Sequence, residues 1–271
     1  MTKSVEDLLK EINAGPAGSG ALPQGQGAVA KSGTGRMATR SGRLARMPII
    51  MVAIAAIIAA VIGSLPFGSY VLYPFALFVT QIHETGHALA AVLTGGTVDS
   101  IQIQSNLAGL TTTRGGIQAV VASAGYLGAT VAGVALLLTP IRFSRWILGA
   151  AASIPIIDLV FFHPADSFTA IWSVVFALGL GLAAWKLPAR MAAFLQIFLG
   201  VEAGLNAFRD AMTLVFISGS NAHIHTDATN MSQALFLPAT FWAVTWTVIS
   251  LVLLIGAMLR LVRRDLASLK S

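Results

Sequence analysis

Seven stretches of predominantly apolar residues, at 47–64, 69–94, 117–138, 143–162, 167–185, 191–217 and 235–259, take up most of the chain. A helix needs about 20 such residues to cross the hydrocarbon of a bilayer, so six or seven crossings are in reach. Only 10% of the 271 residues are charged. A soluble domain carries roughly 25% to cover its surface, and this chain cannot cover one. The expected fold class is an all-α polytopic membrane protein of six or seven transmembrane helices.

Residues 97–114 break the helical pattern. They are too polar for a span, are enriched in β-branched residues and alternate at Val98, Ile101 and Ile103. The stretch reads as a short β-hairpin turning near Asn106 to Gly109.

The net charge is +6. A basic balance arises in membrane proteins that hold Lys and Arg in cytosolic loops and tails, and no nucleic-acid partner is expected. With six full crossings, Arg142, Arg145, Lys186, Arg190, Arg260, Arg263, Arg264 and Lys270 all fall on the cytosolic side. Seven would put many of them outside, so one apolar segment, either 47–64 or 69–94, is expected not to cross. Residues 1–46 are rich in Gly, Ala and Ser, with Arg36, Arg40, Arg43 and Arg46 near their end. They read as a flexible basic cytosolic tail that buries too little apolar surface to order itself. The expected division is a tail at 1–46, a membrane-embedded domain at 47–260 and a short basic tail at 261–271. The chain has no cysteine, which excludes disulfides, thiolate metal sites and a cysteine nucleophile.

The sharpest chemical signal is His83-Glu84-Thr85-Gly86-His87. Positions i and i+4 share a helix face, so both imidazoles can hold one zinc ion while Glu84 acts as base toward a metal-activated water. Ionisable groups in the middle of an apolar run are costly, which makes them functional candidates. A proton relay or a polar clamp between helices is the plainer alternative.

A catalytic zinc usually takes three protein ligands. Asp210 sits inside the run 191–217, where an ion pair with Arg209 would be an expensive way to use it. Asp227 follows Thr226, where an ordinary role in a first helical turn costs nothing. Asp210 is therefore the first choice for third ligand and Asp227 the alternative. Asn206, one turn before Asp210, is a candidate donor to a developing oxyanion or to a plain interhelical hydrogen bond. His223 and His225, in a polar loop, read as solvated. Asp158, His163, Asp166 and Glu202 have no assigned role beyond hydrogen bonding between helices. Gly125 and Gly128 read as close packing of membrane helices, and Gly95-Gly96 as a helix stop.

His-Glu-Thr-Gly-His in an apolar helix, then Ala-Ala-Val-Leu-Thr-Gly-Gly, a short hairpin and a second apolar helix with Ala-Gly-Tyr-Leu-Gly, resembles the site-2-protease-like intramembrane zinc metallopeptidases, in particular their M50B-like branch. Asn206-Ala-Phe-Arg-Asp210 and Thr226-Asp227-Ala228 also look like that branch. The resemblance covers roughly residues 69–260. It implies a multi-pass protein of the cell membrane that hydrolyses peptide bonds of membrane-spanning proteins or peptides within the lipid bilayer. In such a protein His83, His87 and a downstream aspartate bind zinc and Glu84 is general base. The Leu-Asp-Gly setting of that aspartate in better-known members is missing here. No soluble domain is long enough to gate substrates, so gating would fall to a separate regulatory partner protein. Two rivals stand beside this: a catalytically silent scaffold of the same fold, and an ion- or proton-coupled transporter with His83, Glu84, Asp158, Glu202 and Asp210 along its path. The transporter would be expected to show two related halves, and no internal repeat is evident.

Overall fold

The computed structural model describes residues 47–220 and 225–270. The N-terminal stretch 1–46 and His223 lie outside them. Each apolar window forms a helix: α1 (Met47–Ser64), α2 (Gly68–Leu93), α3 (Gln118–Leu138), α4 (Ser144–Phe161), α5 (Ser167–Lys186), α6 (Ala189–Ser220) and α8 (Ala239–Lys270). A short helix, α7 (Asp227–Leu235), precedes α8. The polar stretch forms β1 (Thr97–Ile103) and β2 (Gly109–Arg114), as its alternation predicts.

By length and composition, α3, α4 with its leading turn, α5, α6 and α8 are each long and apolar enough to cross a membrane. The two that fall outside this group are the helices singled out from the charge pattern, α1 for its length and α2 for its polar residues. Large apolar side chains such as Val131, Leu178, Val252 and Ile255 are exposed on the outer helix faces. Surface of this kind is compatible with lipid rather than water, and the chain is an integral membrane protein.

Helix α6 is central: 67% of its apolar window is buried, against 22% for α5 at the rim. The main core joins Phe78, Val79 and Ile82 of α2 to Ala129 and Leu136 of α3, Leu148 of α4, Leu180 of α5 and Leu199 and Ala203 of α6. Helices α2 and α3 meet backbone to backbone, since a Cβ on Gly86 would stand 2.5 Å from the carbonyl oxygen of Ala124. Small residues permit this approach, and with it the dispersion contact that holds membrane helices together.

Strands β1 and β2 pair antiparallel from Thr97↔Arg114 to Ile103↔Gly109, with a bulge between Val98 and Ser100. The turn closes through Gln104 N–H to the Ala108 carbonyl and Ala108 N–H to Asn106 Oδ1. The outer edge of β1 is already occupied. Ile101 donates to the His163 carbonyl and accepts from Ala165 N–H, and Ile103 N–H donates to Thr169 Oγ1 at 2.9 Å. Asp166 completes the junction, accepting from Thr169 N–H as N-cap of α5 and from Gln102 Nε2 of β1, both at 2.8 Å. These two donors hold its carboxyl below the usual aspartate range. Among the described residues, no backbone hydrogen bond is made to the outer edge of β2.

Candidate metal centre

On α2, His83, Glu84 and His87 turn toward one side while Gln81 and Thr85 turn toward another, as the 3.6-residue period requires. On the second side, Gln81 Nε2 (2.5 Å) and Thr85 Oγ1 (2.7 Å) both donate to Asp158 Oδ2 of α4. Ser173 of α5 reaches Gln81 Oε1 at 3.4 Å. Asp158 is 3% exposed, and its role in the fold is to hold α2 by two hydrogen bonds one turn apart. This is the interhelical clamp that a buried membrane carboxyl with no other assignment suggests.

On the first side three donor atoms converge. His83 Nε2 lies 3.0 Å from His87 Nε2 and 3.2 Å from Asp227 Oδ2, and His87 Nε2 lies 3.3 Å from the same oxygen. His87 Nδ1 donates to the Val121 carbonyl at 2.7 Å, which fixes the ring and leaves the Nε2 lone pair aimed at the other two donors. Two imidazole nitrogens and a carboxylate oxygen pointing at one place form an acceptor-rich set that a cation completes. A tetrahedral zinc with bonds of about 2.0–2.2 Å sets its ligand atoms roughly 3.3 Å apart, close to the edges seen here. The space is kept open by Gly125 of α3, whose Cβ would stand 2.5 Å from His87 Nε2 and closer still to His83 Nε2. The residues present fit the ion.

Glu84 stands beside the triad. Thr111 of β2 donates to its Oε2 at 2.6 Å, and Gly109 lies so close to Oε1 that a Cβ there would collide with it. The hairpin thus packs against the carboxylate and orients it. Triad and carboxylate open on a cavity of about 910 Å³, bounded by the turn and β2 (Leu107 to Thr113), by Gln118 and Tyr126 of α3, and by Asn230 of α7.

Of the residues singled out in the sequence, the fold brings His83, Glu84, His87 and Asp227 together. Asp227 reaches the imidazoles because Thr226 caps α7, with its hydroxyl accepting from Thr229 N–H, which leaves the next side chain at the cavity. Asp210 lines the same cavity and bears electrostatically on His83. Its carboxylate is nevertheless not in the group of donor atoms within 4.8 Å of one another, which among the described residues comprises His83, His87 and Asp227. Nor does an ion pair join it to Arg209 among the described residues. Asn206 turns away, donating to the Glu202 carbonyl (2.8 Å) and to Glu202 Oε2 (3.1 Å). His225 is exposed at the cavity wall. Sequence reasoning did not find Thr111, Gly109 or the Val121 carbonyl, because each reaches the site from a neighbouring element. Gly125 gave a signal in its Gly-Tyr-Leu-Gly setting, which spacing alone assigns to packing.

Comparison with known proteins supplies a family. A family model described as Peptidase M50B-like matches residues 50–257, which is more than half of the chain and includes all four residues of the cluster. No curated protein and no solved structure gives a match. An integral membrane protein of metallopeptidase type, the chain belongs to the Peptidase M50B-like family.

Proposed function

We propose that the protein is an intramembrane zinc endopeptidase that cuts membrane-spanning proteins or peptides. His83, His87 and Asp227 hold the ion, and Glu84 is the general base. The observation that carries this reading is the triangle of donor atoms with edges of 3.0–3.3 Å beside a carboxylate at a cavity wall.

Zinc, when bound, supplies a Lewis acid that makes water a competent nucleophile near neutral pH. Glu84 accepts the proton of the attacking water and passes it to the leaving amine, while Thr111 holds the carboxylate through the hydrogen bond to its Oε2. A helical substrate hides its peptide bonds in its own hydrogen bonds, so the segment to be cut must be extended. The open edge of β2 offers such a segment backbone hydrogen bonds by strand addition, and it runs past Glu84 along the cavity wall. The catalytic unit is the membrane-embedded region 47–260; the basic segment 1–46 precedes it, and residues 261–270 continue α8, with Leu261 packed in the core. It works in the cell membrane, and substrate admission falls to a separate regulatory partner protein.

Elemental mass spectrometry on detergent-purified protein tests the reading directly. About one zinc per chain is expected. It should be lost in His83→Ala and Asp227→Asn, and kept in Glu84→Gln and Asp210→Asn. Cleavage of a membrane reporter should fail in Glu84→Gln. No zinc in the wild type after loading, or zinc lost through Asp210→Asn with Asp227→Asn unaffected, would overturn the assignment.

A further inference from the structure

With the Asn206 amide committed to Glu202, the cavity needs another group to meet the charge that develops on the scissile carbonyl oxygen. Among the described residues of its wall, Tyr126 offers a rigidly held O–H with no protein partner. Tyr126 of α3 is half-buried and lines the cavity that holds His83, Glu84 and Asp227. Its ring is held on two sides. It meets the His83 imidazole edge-to-face, with centroids 4.6 Å apart and planes at 87°. It also stacks on Trp246 of α8, at 5.5 Å and 15°. Trp246 is 2% exposed, so the platform under the phenol is fixed.

The ring therefore has one orientation, yet its hydroxyl makes no hydrogen bond to protein among the described residues. Phenylalanine would serve the packing equally well, and the hydroxyl, which lies in the cavity wall rather than sealed in the core, is left free to meet a bound substrate. The charged groups that bear on it are Asp227, Asp210 and Glu84, the carboxyls that surround the reaction space. A neutral O–H in that wall is a hydrogen-bond donor beside the carboxyls of the site.

We propose that the Tyr126 hydroxyl donates a hydrogen bond to the scissile carbonyl oxygen as it becomes negatively charged, which makes Tyr126 a further catalytic residue of this site. The inference rests on the proteolytic reading above. As water oxygen bonds to the carbonyl carbon, the C=O π pair moves onto oxygen and the water proton passes to Glu84. The phenol stabilises that oxygen and keeps its own proton. Collapse breaks the C–N bond, re-forms the carbonyl as a carboxyl group, and returns the proton from Glu84 to the departing nitrogen. A donor fixed before the reaction costs no reorganisation, and loss of one such donor typically lowers kcat by roughly 10²–10³-fold.

Tyr126→Phe keeps the ring, both of its aromatic contacts and the zinc content. The test uses two peptide probes of one sequence on zinc-loaded protein. One carries a phosphonate, whose oxygen stands in for the oxyanion, and the other a thiol, which binds zinc and offers no such oxygen. Tyr126→Phe should weaken the phosphonate at least tenfold and leave the thiol unchanged. With a cleaved reporter, kcat should fall about a hundredfold with KM held. Equal effects on both probes, or none on either, overturn the proposal. If wild type binds both probes but cuts no reporter, the proteolytic reading fails, while the difference between probes still decides Tyr126. If wild type binds neither probe, both readings fall.

Discussion

Replacing Gly125 with alanine adds one methyl group at the place where it does most harm. That carbon would stand 2.5 Å from His87 Nε2 and closer to His83 Nε2, whereas an ion bound by these nitrogens would lie about 2.0–2.1 Å from each. Methyl and metal thus compete for the same volume. Ordinary van der Waals contact begins near 3.5 Å, so relief requires each imidazole to withdraw by about 1 Å. A zinc site tolerates deviations of about 0.2 Å. His87 cannot withdraw freely, because its Nδ1 is tied to the Val121 carbonyl at 2.7 Å. Overpacking of this kind costs about 1–3 kcal/mol. If that falls mainly on the metal-bound state, it weakens zinc binding by roughly 5- to 150-fold at 1.36 kcal/mol per decade. Competition with a fluorescent zinc chelator measures it. Gly128→Ala is the matched control, since its Cβ would meet only Gly86 Cα at 3.7 Å and should bind zinc as the wild type does. Zinc affinity equal to wild type in Gly125→Ala would refute the placement of α3 against the imidazoles.

Three other outcomes follow from the hairpin. Thr111→Val removes the 2.6 Å hydrogen bond to Glu84; loss of a bond to a charged group, worth about 1.5–3 kcal/mol, should cut kcat by at least tenfold with zinc content unchanged, and an unaltered kcat would show that Glu84 needs no such support. Leu110→Pro and Thr113→Pro lie at positions of opposite parity in β2, so one of them removes an outward N–H; that one should abolish cleavage with zinc retained, and full activity in both would exclude strand addition. The carboxyl of Asp166 titrates below its ordinary value, so its charge stabilises the fold above the usual aspartate range and this contribution is lost as pH falls through the depressed value. Asp166→Asn keeps a capping side chain without the charge, so its thermal stability in detergent should depend less on pH between about 5 and 3; identical pH slopes for both proteins would contradict the junction described for α5 and β1.

The helices and the hairpin were legible because both patterns are local. An apolar window marks a membrane segment wherever it packs, and alternation at Val98, Ile101 and Ile103 marks a strand with one buried face. His83, Glu84 and His87 were legible for the same reason, since one helical turn relates them. The third donor was legible only as one of two aspartates, Asp210 and Asp227. Asp210 was favoured in the sequence because a carboxyl inside an apolar run needs a reason to be there, whereas the structure leaves it exposed to the cavity and brings in Asp227 instead. The cost of burying Asp210 is removed by the cavity itself, which no sequence window reveals. Asp158 shows the reverse. It looked unassigned, and its buried carboxyl is partnered across three helices by Thr85, Gln81 and, through Gln81, Ser173.

The composition of α2 has a further consequence for how the protein is made. Gln81, His83, Glu84, Thr85 and His87 lie within two turns of one helix, and each opposes transfer of that helix from the insertion machinery into lipid. Left to partition alone, α2 would be the segment most prone to slip back. Its partners arrive later in synthesis: α3 seats against Gly86, and Asp158 on α4 satisfies Gln81 and Thr85. The polar residues Gln81 and Thr85 of α2 therefore find their partner only once α4 has been made, so the element that carries the site depends on later segments for its place in the bilayer.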